Sequence, residues 1–153
     1  MIPGERPVHF AKVWRLSSPL YRDDENSIDF VWPEAVMSTR ASVAHLARPV
    51  QGQRPRYYCS DKDTPRRRLV NERALQNVMS RFGLEPIELS GMLTLDQIAS
   101  VSNAELIVMQ PCDAAAVRMF TAADCVTIEL TPPNVDVGLG PRSIAAVLGQ
   151  SVY

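Results

Sequence analysis

From residue 56 onward the chain alternates short apolar runs with stretches in which apolar positions recur every three or four residues. Runs of the first kind read as strands and those of the second kind as amphipathic helices. Arg56 to Ser60 is a short strand, followed by the charged loop DKDTPRRR and a helix from Asn71 to Phe82 closed by Gly83. Asn71 is placed to cap that helix, Val70 and Leu75 are spaced as a hydrophobic staple, and Ala74, Val78 and Phe82 form its apolar face. Leu84 to Leu89 is a second strand. Thr94 with Gln97 has capping-box spacing, bracketed by Leu93 and Ile98 as a second staple, which predicts a helix from Leu95 to about Ser102. A strand at Glu105 to Val108, a helix at Asp113 to Ala122 and a strand at Cys125 to Leu130 follow. After Pro132 and Pro133 the chain loops through Gly138 and Gly140, and a last helix runs from about Pro141 to Leu148 before Gly149. Strands alternating with helices at this spacing predict an α/β fold: a Rossmann-like, mostly parallel sheet with helices on both faces.

The first third is less regular. Val8 to Leu16 has strand composition, Ser17 to Ile28 reads as a polar loop, and Pro33 opens a helix whose apolar positions end before Pro49. The stretch RPVQGQRP then reads as a linker or long loop. Residues 1–50 are therefore expected to be a leader strand and helix with a linker-like end, and residues 51–153 a Rossmann-like domain, together one compact unit. With 153 residues and 46% hydrophobic content, the chain can build one ordinary core.

A formal net charge of -1 provides no broad basic field, so nucleic acid held by bulk electrostatics is not expected. No segment has the roughly 18 apolar residues that span a bilayer. Cys59, Cys112 and Cys125 are odd in number and form no CxxC pair, which argues against a disulfide framework or a zinc site. The composition predicts a cytoplasmic protein in a reducing compartment.

Candidate chemistry gathers after the predicted strands. Arg66, Arg67 and Arg68 lie between a strand and a helix N-terminus, where a diphosphate would be held; a solvated basic loop is the plainer reading. After the strand at 105–108, where a phosphate-cradling turn would use glycines, the chain has Met109, Gln110, Pro111, Cys112 and Asp113. Cys112 and Arg118 have the C-x5-R spacing of cysteine phosphatases, but no glycine lies between them and no hydroxyl follows Arg118, so the match reads as coincidence. Asp61-Lys62-Asp63, a metal-holding triplet elsewhere, reads here as a turn beside Pro65. His9 and His45 have no partners at ligand spacing, and no general base stands out.

The stretches RPRYYCSDKDTPRRRLVNERAL and GMLTLDQIASVSNAELIV, with the later TIEL, resemble the carboxy-terminal domain of glycosyltransferase family 61, the capsular-polysaccharide and xylan-type transferases. Tyr58, Ser60, Arg67, Asn71, Glu72, Gln97 and Glu129 fall on matching positions over about Arg56 to Leu130. The resemblance implies half of a GT-B fold that binds a nucleoside-diphosphate sugar through Ser60, Arg67, Arg68, Asn71, Gln97 and Glu129. It further implies transfer to a carbohydrate acceptor without a metal or other cofactor, with the acceptor held by a separate domain or another subunit. Local explanations stand beside these roles: a cap for Asn71, an acidic first turn for Glu72, a capping box for Gln97 and a rim carboxylate for Glu129. The sequence also departs from the family. Asp61 replaces an arginine, Met109 to Cys112 replace a Gly-Pro-His-Gly turn, and only about 50 residues precede the matching part, fewer than a typical second domain. The expectation is a truncated or degenerate donor-binding domain with weak or absent transfer; the alternative is a non-catalytic interaction module, such as a homo-oligomer scaffold.

Overall fold

The computed structural model describes residues 20–23, 28–46, 52–60, 70–110, 113–131 and 140–153. Its centre is a four-stranded, all-parallel sheet made of β3 (Arg56–Cys59), β4 (Glu85–Ile87), β5 (Leu106–Met109) and β6 (Val126–Glu129), in the order β4-β3-β5-β6. The connections carry α2 (Glu72–Arg81), α3 (Thr94–Ser102) and a 3₁₀ helix (Asp113–Phe120). After α4 (Gly140–Val147) the final residues lie parallel to β6: Thr127 N donates to Ser151 O at 3.1 Å and Tyr153 N to Thr127 O at 3.0 Å. The chain therefore enters the sheet at β3, steps outward to β4, returns past β3 to β5, and continues the other way. That reversal makes the carboxyl ends of β3 and β5 the topological switch point, where open α/β sheets hold ligands.

Register fixes which side chains share a face. Ile87, Cys59, Met109 and Glu129 stand in one row across the four strands, and Pro86, Tyr58, Val108 and Ile128 in the row before it. Successive residues of a strand point to opposite faces. Cys59, Ile87, Ile107 and Met109 accordingly pack with Val101 of α3 and Val117 of the 3₁₀ helix on one face, while Tyr58 and Val108 pack with Leu75 and Met79 of α2 on the other. Helices on both faces of a parallel sheet are thus present as the alternation predicted.

Several local expectations change. The packed stripe of α2 is Leu75 and Met79, whereas Val78 and Phe82 are 45% and 66% exposed. Both stripes have the same four-residue spacing, and the 75/79 stripe, on the side of the buried first residue Glu72, is the one that docks on Tyr58 and Val108. Neither staple forms, since Val70 and Leu93 are both exposed. Leu93, not Thr94, is the N-cap of α3 and makes no side-chain capping bond. At the other end of α2, Gly83 has a φ of 74°, and Leu84 N closes on Met79 O at 3.1 Å, the left-handed termination that glycine adopts without a Cβ clash. The segment 113–120 is 3₁₀ rather than α, and Thr121 N and Oγ both donate to Arg118 O where it ends. A periodicity of three and one of 3.6 differ little over so short an alanine-rich stretch, so the pattern did not separate them.

The expected strand Val8 to Leu16 lies outside the described residues. The expected loop Ser17 to Ile28 instead contains strand: β1 (Leu20–Asp23) and β2 (Ile28–Val31) pair antiparallel, with Leu20 opposite Val31. The cluster Asp24-Glu25-Asn26 between two short runs is the hairpin signal that its high polarity obscured. α1 (Pro33–Val43) follows, with proline in its first turn, and a short 3₁₀ turn (Ala44–Leu46) continues it. Arg40 anchors α1 to the main body by donating through Nη1 to Met119 O and, at 2.8 Å, to Thr121 O.

Candidate functional site

Ser60 leaves the end of β3 with its N–H bonded to Ile87 O at 3.0 Å, which continues the ladder by one residue. Register places Gln110 at the equivalent point beyond β5, one strand spacing of about 4.8 Å away. Both residues are 5% exposed. Ser60 Oγ donates a short hydrogen bond to Glu72 Oε1, the carboxylate of the first residue of α2. Glu72 is itself buried, and among the described residues no cation pairs with it. Its favourable electrostatic partner in the described structure is the positive end of the α2 dipole.

Tyr58, two residues before Ser60 on the same face, is only 1% exposed. Burial first, then the neighbouring Glu72 charge, pushes its phenol above the ordinary range, while the Gln110 side chain works in the opposite direction. The hydroxyl is therefore close to both side chains, yet neither meets it at hydrogen-bonding geometry, and the oxygen has no hydrogen-bond partner among the described residues. Tyr58, Ser60, Glu72 and Gln110 form a buried polar cluster at the switch point, built from the ends of two strands and the start of one helix.

A second polar cluster lies on the opposite face. Glu129 Oε1 pairs with Arg118 Nη2 at 3.0 Å, with both side chains almost fully buried, and Glu129 Oε2 lies 3.6 Å from the exposed Arg142 Nε. The cause is register: Glu129 shares its row with Cys59 and Met109, whose side chains pack toward α3 and the 3₁₀ helix. Arg118 also places Nη2 3.9 Å from Met109 Sδ. A guanidinium so enclosed and paired is not presented to an incoming phosphate; Cys112, the other half of the C-x5-R match, lies outside the described residues.

Of the residues expected to bind donor, the structure brings Ser60 and Asn71 to the same end of the sheet, at β3 and α2. Asn71 is the N-cap of α2 but is exposed and makes no side-chain capping bond; its carbonyl accepts from Leu75 N at 3.0 Å. Gln97 lies apart from both. Its amide donates to Leu89 O at 2.8 Å and Met92 O at 3.1 Å, tying down the turn before α3 rather than closing a capping box. Glu129 is on the other side of the sheet with its carboxylate engaged by two arginines. Arg67 and Arg68 lie outside the described residues.

The residues missing from the sequence-derived site are Gln110 and the side-chain roles of Tyr58 and Glu72. A signal for them was present in strand parity, because positions 58, 60, 108 and 110 share a face once β3 and β5 are neighbours. Sequence alone did not supply that adjacency. Among the described residues no group of histidines, cysteines and carboxylates could hold a metal ion, and no helix is long and apolar enough to cross a membrane. No protein-family model matches the chain, and no curated protein matches it.

Proposed function

We propose that this chain is a nucleoside-diphosphate-sugar-binding domain of the family 61 glycosyltransferase type, the donor half of a GT-B arrangement, with its donor at the switch point between β3 and β5. The observation that carries this reading is the buried Tyr58–Ser60–Glu72–Gln110 cluster at that point, where a doubly wound sheet offers its crevice. The sequence adds Arg66, Arg67 and Arg68 in the segment joining Ser60 to α2, cations suited to a diphosphate. In the reaction of such a domain, the bond from the anomeric carbon to the diphosphate oxygen breaks and a bond to an acceptor hydroxyl oxygen forms. The acceptor proton passes to a base on a complementary acceptor domain, and the arginines stabilise the leaving diphosphate. Asp61 in place of an arginine and Met109 to Cys112 in place of a glycine-histidine turn favour donor binding with weak or absent transfer.

Thermal denaturation with uridine and guanosine diphosphates at about 1 mM tests the reading. An affinity near 10 µM predicts a rise in Tm of about 5–10 °C with at least one of them. No shift with either would refute it. The second reading, a non-catalytic interaction module, draws on the outward stripe of Val78 and Phe82 on α2, which no described element covers. It predicts no nucleotide response and concentration-dependent association in sedimentation experiments.

A further inference from the structure

Resting on the donor-binding reading, we propose that the Tyr58–Glu72 pair recognises a neutral vicinal diol of the ligand, on the ribose or on the transferred pyranose, and does not bind its phosphates. Glu72 is a buried carboxylate with one oxygen satisfied by Ser60 Oγ, and no described cation neutralises it. An ionised carboxylate is purely an acceptor; it repels phosphate oxygens and is complemented by hydroxyl donors. The Tyr58 hydroxyl, buried and without a hydrogen-bond partner among the described residues, supplies both a donor and an acceptor beside it. Unsatisfied buried polar atoms are rare in folded proteins and ask for a partner. A diol meets both requirements: one hydroxyl donates to the carboxylate, and the other exchanges a hydrogen bond with the phenol. Gln110, buried at the end of the neighbouring strand, lies close to the same phenol.

Calorimetric titration of the whole chain with uridine diphosphate, its 2′-deoxy analogue, uridine-diphosphate glucose and inorganic pyrophosphate tests this, with the guanosine series run in parallel. A diol on the ribose predicts roughly tenfold weaker binding of the 2′-deoxy analogue, whereas a diol on the pyranose predicts roughly tenfold tighter binding of the sugar nucleotide than of the bare diphosphate. In either case Glu72→Gln, which keeps the side-chain shape, reduces the preference to less than about threefold. Tyr58→Phe weakens the same ligand and carries the test if Glu72→Gln does not fold. If nucleotides bind but show no hydroxyl preference, or if neither substitution alters it, the diol assignment is overturned while donor binding stands. If no nucleotide of either series binds, both fall.

Discussion

The two faces of the sheet bury polar groups in opposite ways. On the face covered by α3 and the 3₁₀ helix, Glu129 is enclosed with Arg118 and reached from outside by Arg142, so the carboxylate has a cation at each oxygen. On the face covered by α2, Glu72 is enclosed with a serine, a tyrosine and a glutamine, and one hydroxyl beside it has no hydrogen-bond partner among the described residues. A buried charge that is paired at both oxygens explains itself as structure, whereas a buried carboxylate beside an unsatisfied phenol is an incomplete set. The family resemblance places both carboxylates on matching positions but implies a binding role for Glu129 and not for Glu72. Among the described residues the geometry separates them: Glu129 has a cation at each oxygen, whereas Glu72 has a hydrogen-bond partner on Oε1 and no cation.

The largest expected effect lies on the ion-paired side. Arg118→Leu leaves the buried Glu129 with only the exposed Arg142 as a cation, and unfolding in urea should show a loss of about 3–5 kcal/mol. A loss below about 1 kcal/mol would mean the pair is not buried as described. On the same face, burial pushes the Cys125 thiol up to about 11. Above its ordinary pKa the unfolded chain releases this proton while the folded chain keeps it, so the contribution of this thiol to folding stability is constant below about pH 9 and falls between about pH 9 and 11. The fall amounts to at most about 2–3 kcal/mol. Denaturation midpoints across that range should show the slope, and Cys125→Ala should remove its share; the raised Tyr57 and Tyr58 phenols add to it at the upper end.

The incomplete side predicts smaller changes. Ser60→Ala removes the hydrogen bond to Glu72 and should cost about 1–3 kcal/mol, because the bond lost is to a charged, buried acceptor. Tyr58→Phe removes an oxygen that has no described partner, so in the absence of ligand it should be neutral or stabilising by up to about 1 kcal/mol. A destabilisation of more than about 1 kcal/mol would show that the hydroxyl is already satisfied in the folded chain.

The alternation of short apolar runs with helical periods was sufficient to predict a parallel sheet with helices on both faces, because crossover connections permit little else. The closure of α2 at Gly83 and the position of β5 were legible for the same local reason. The pairing of β1 with β2 was not, since the polar stretch between them in sequence reads as a plain loop. The α2 stripe was misassigned because Ala74–Val78–Phe82 and Leu75–Met79 have identical spacing, and only docking on Tyr58 and Val108 chooses between them. The candidate site failed to emerge for a related reason. Ser60 and Gln110 are 50 positions apart in sequence, and what unites them is the reversal of strand order, a tertiary fact. Likewise nothing in TIEL says which face Glu129 takes until its register against Met109 is known.

The most direct test of the proposed donor site is a two-dimensional amide NMR titration of the whole chain with the nucleoside diphosphate that stabilises it. Donor binding at the β3–β5 switch point predicts that the shifted resonances centre on Ser60, Glu72 and Gln110 while those of Arg118 and Glu129 stay in place. Shifts centred on Glu129 and Arg142, or none at all, would contradict it.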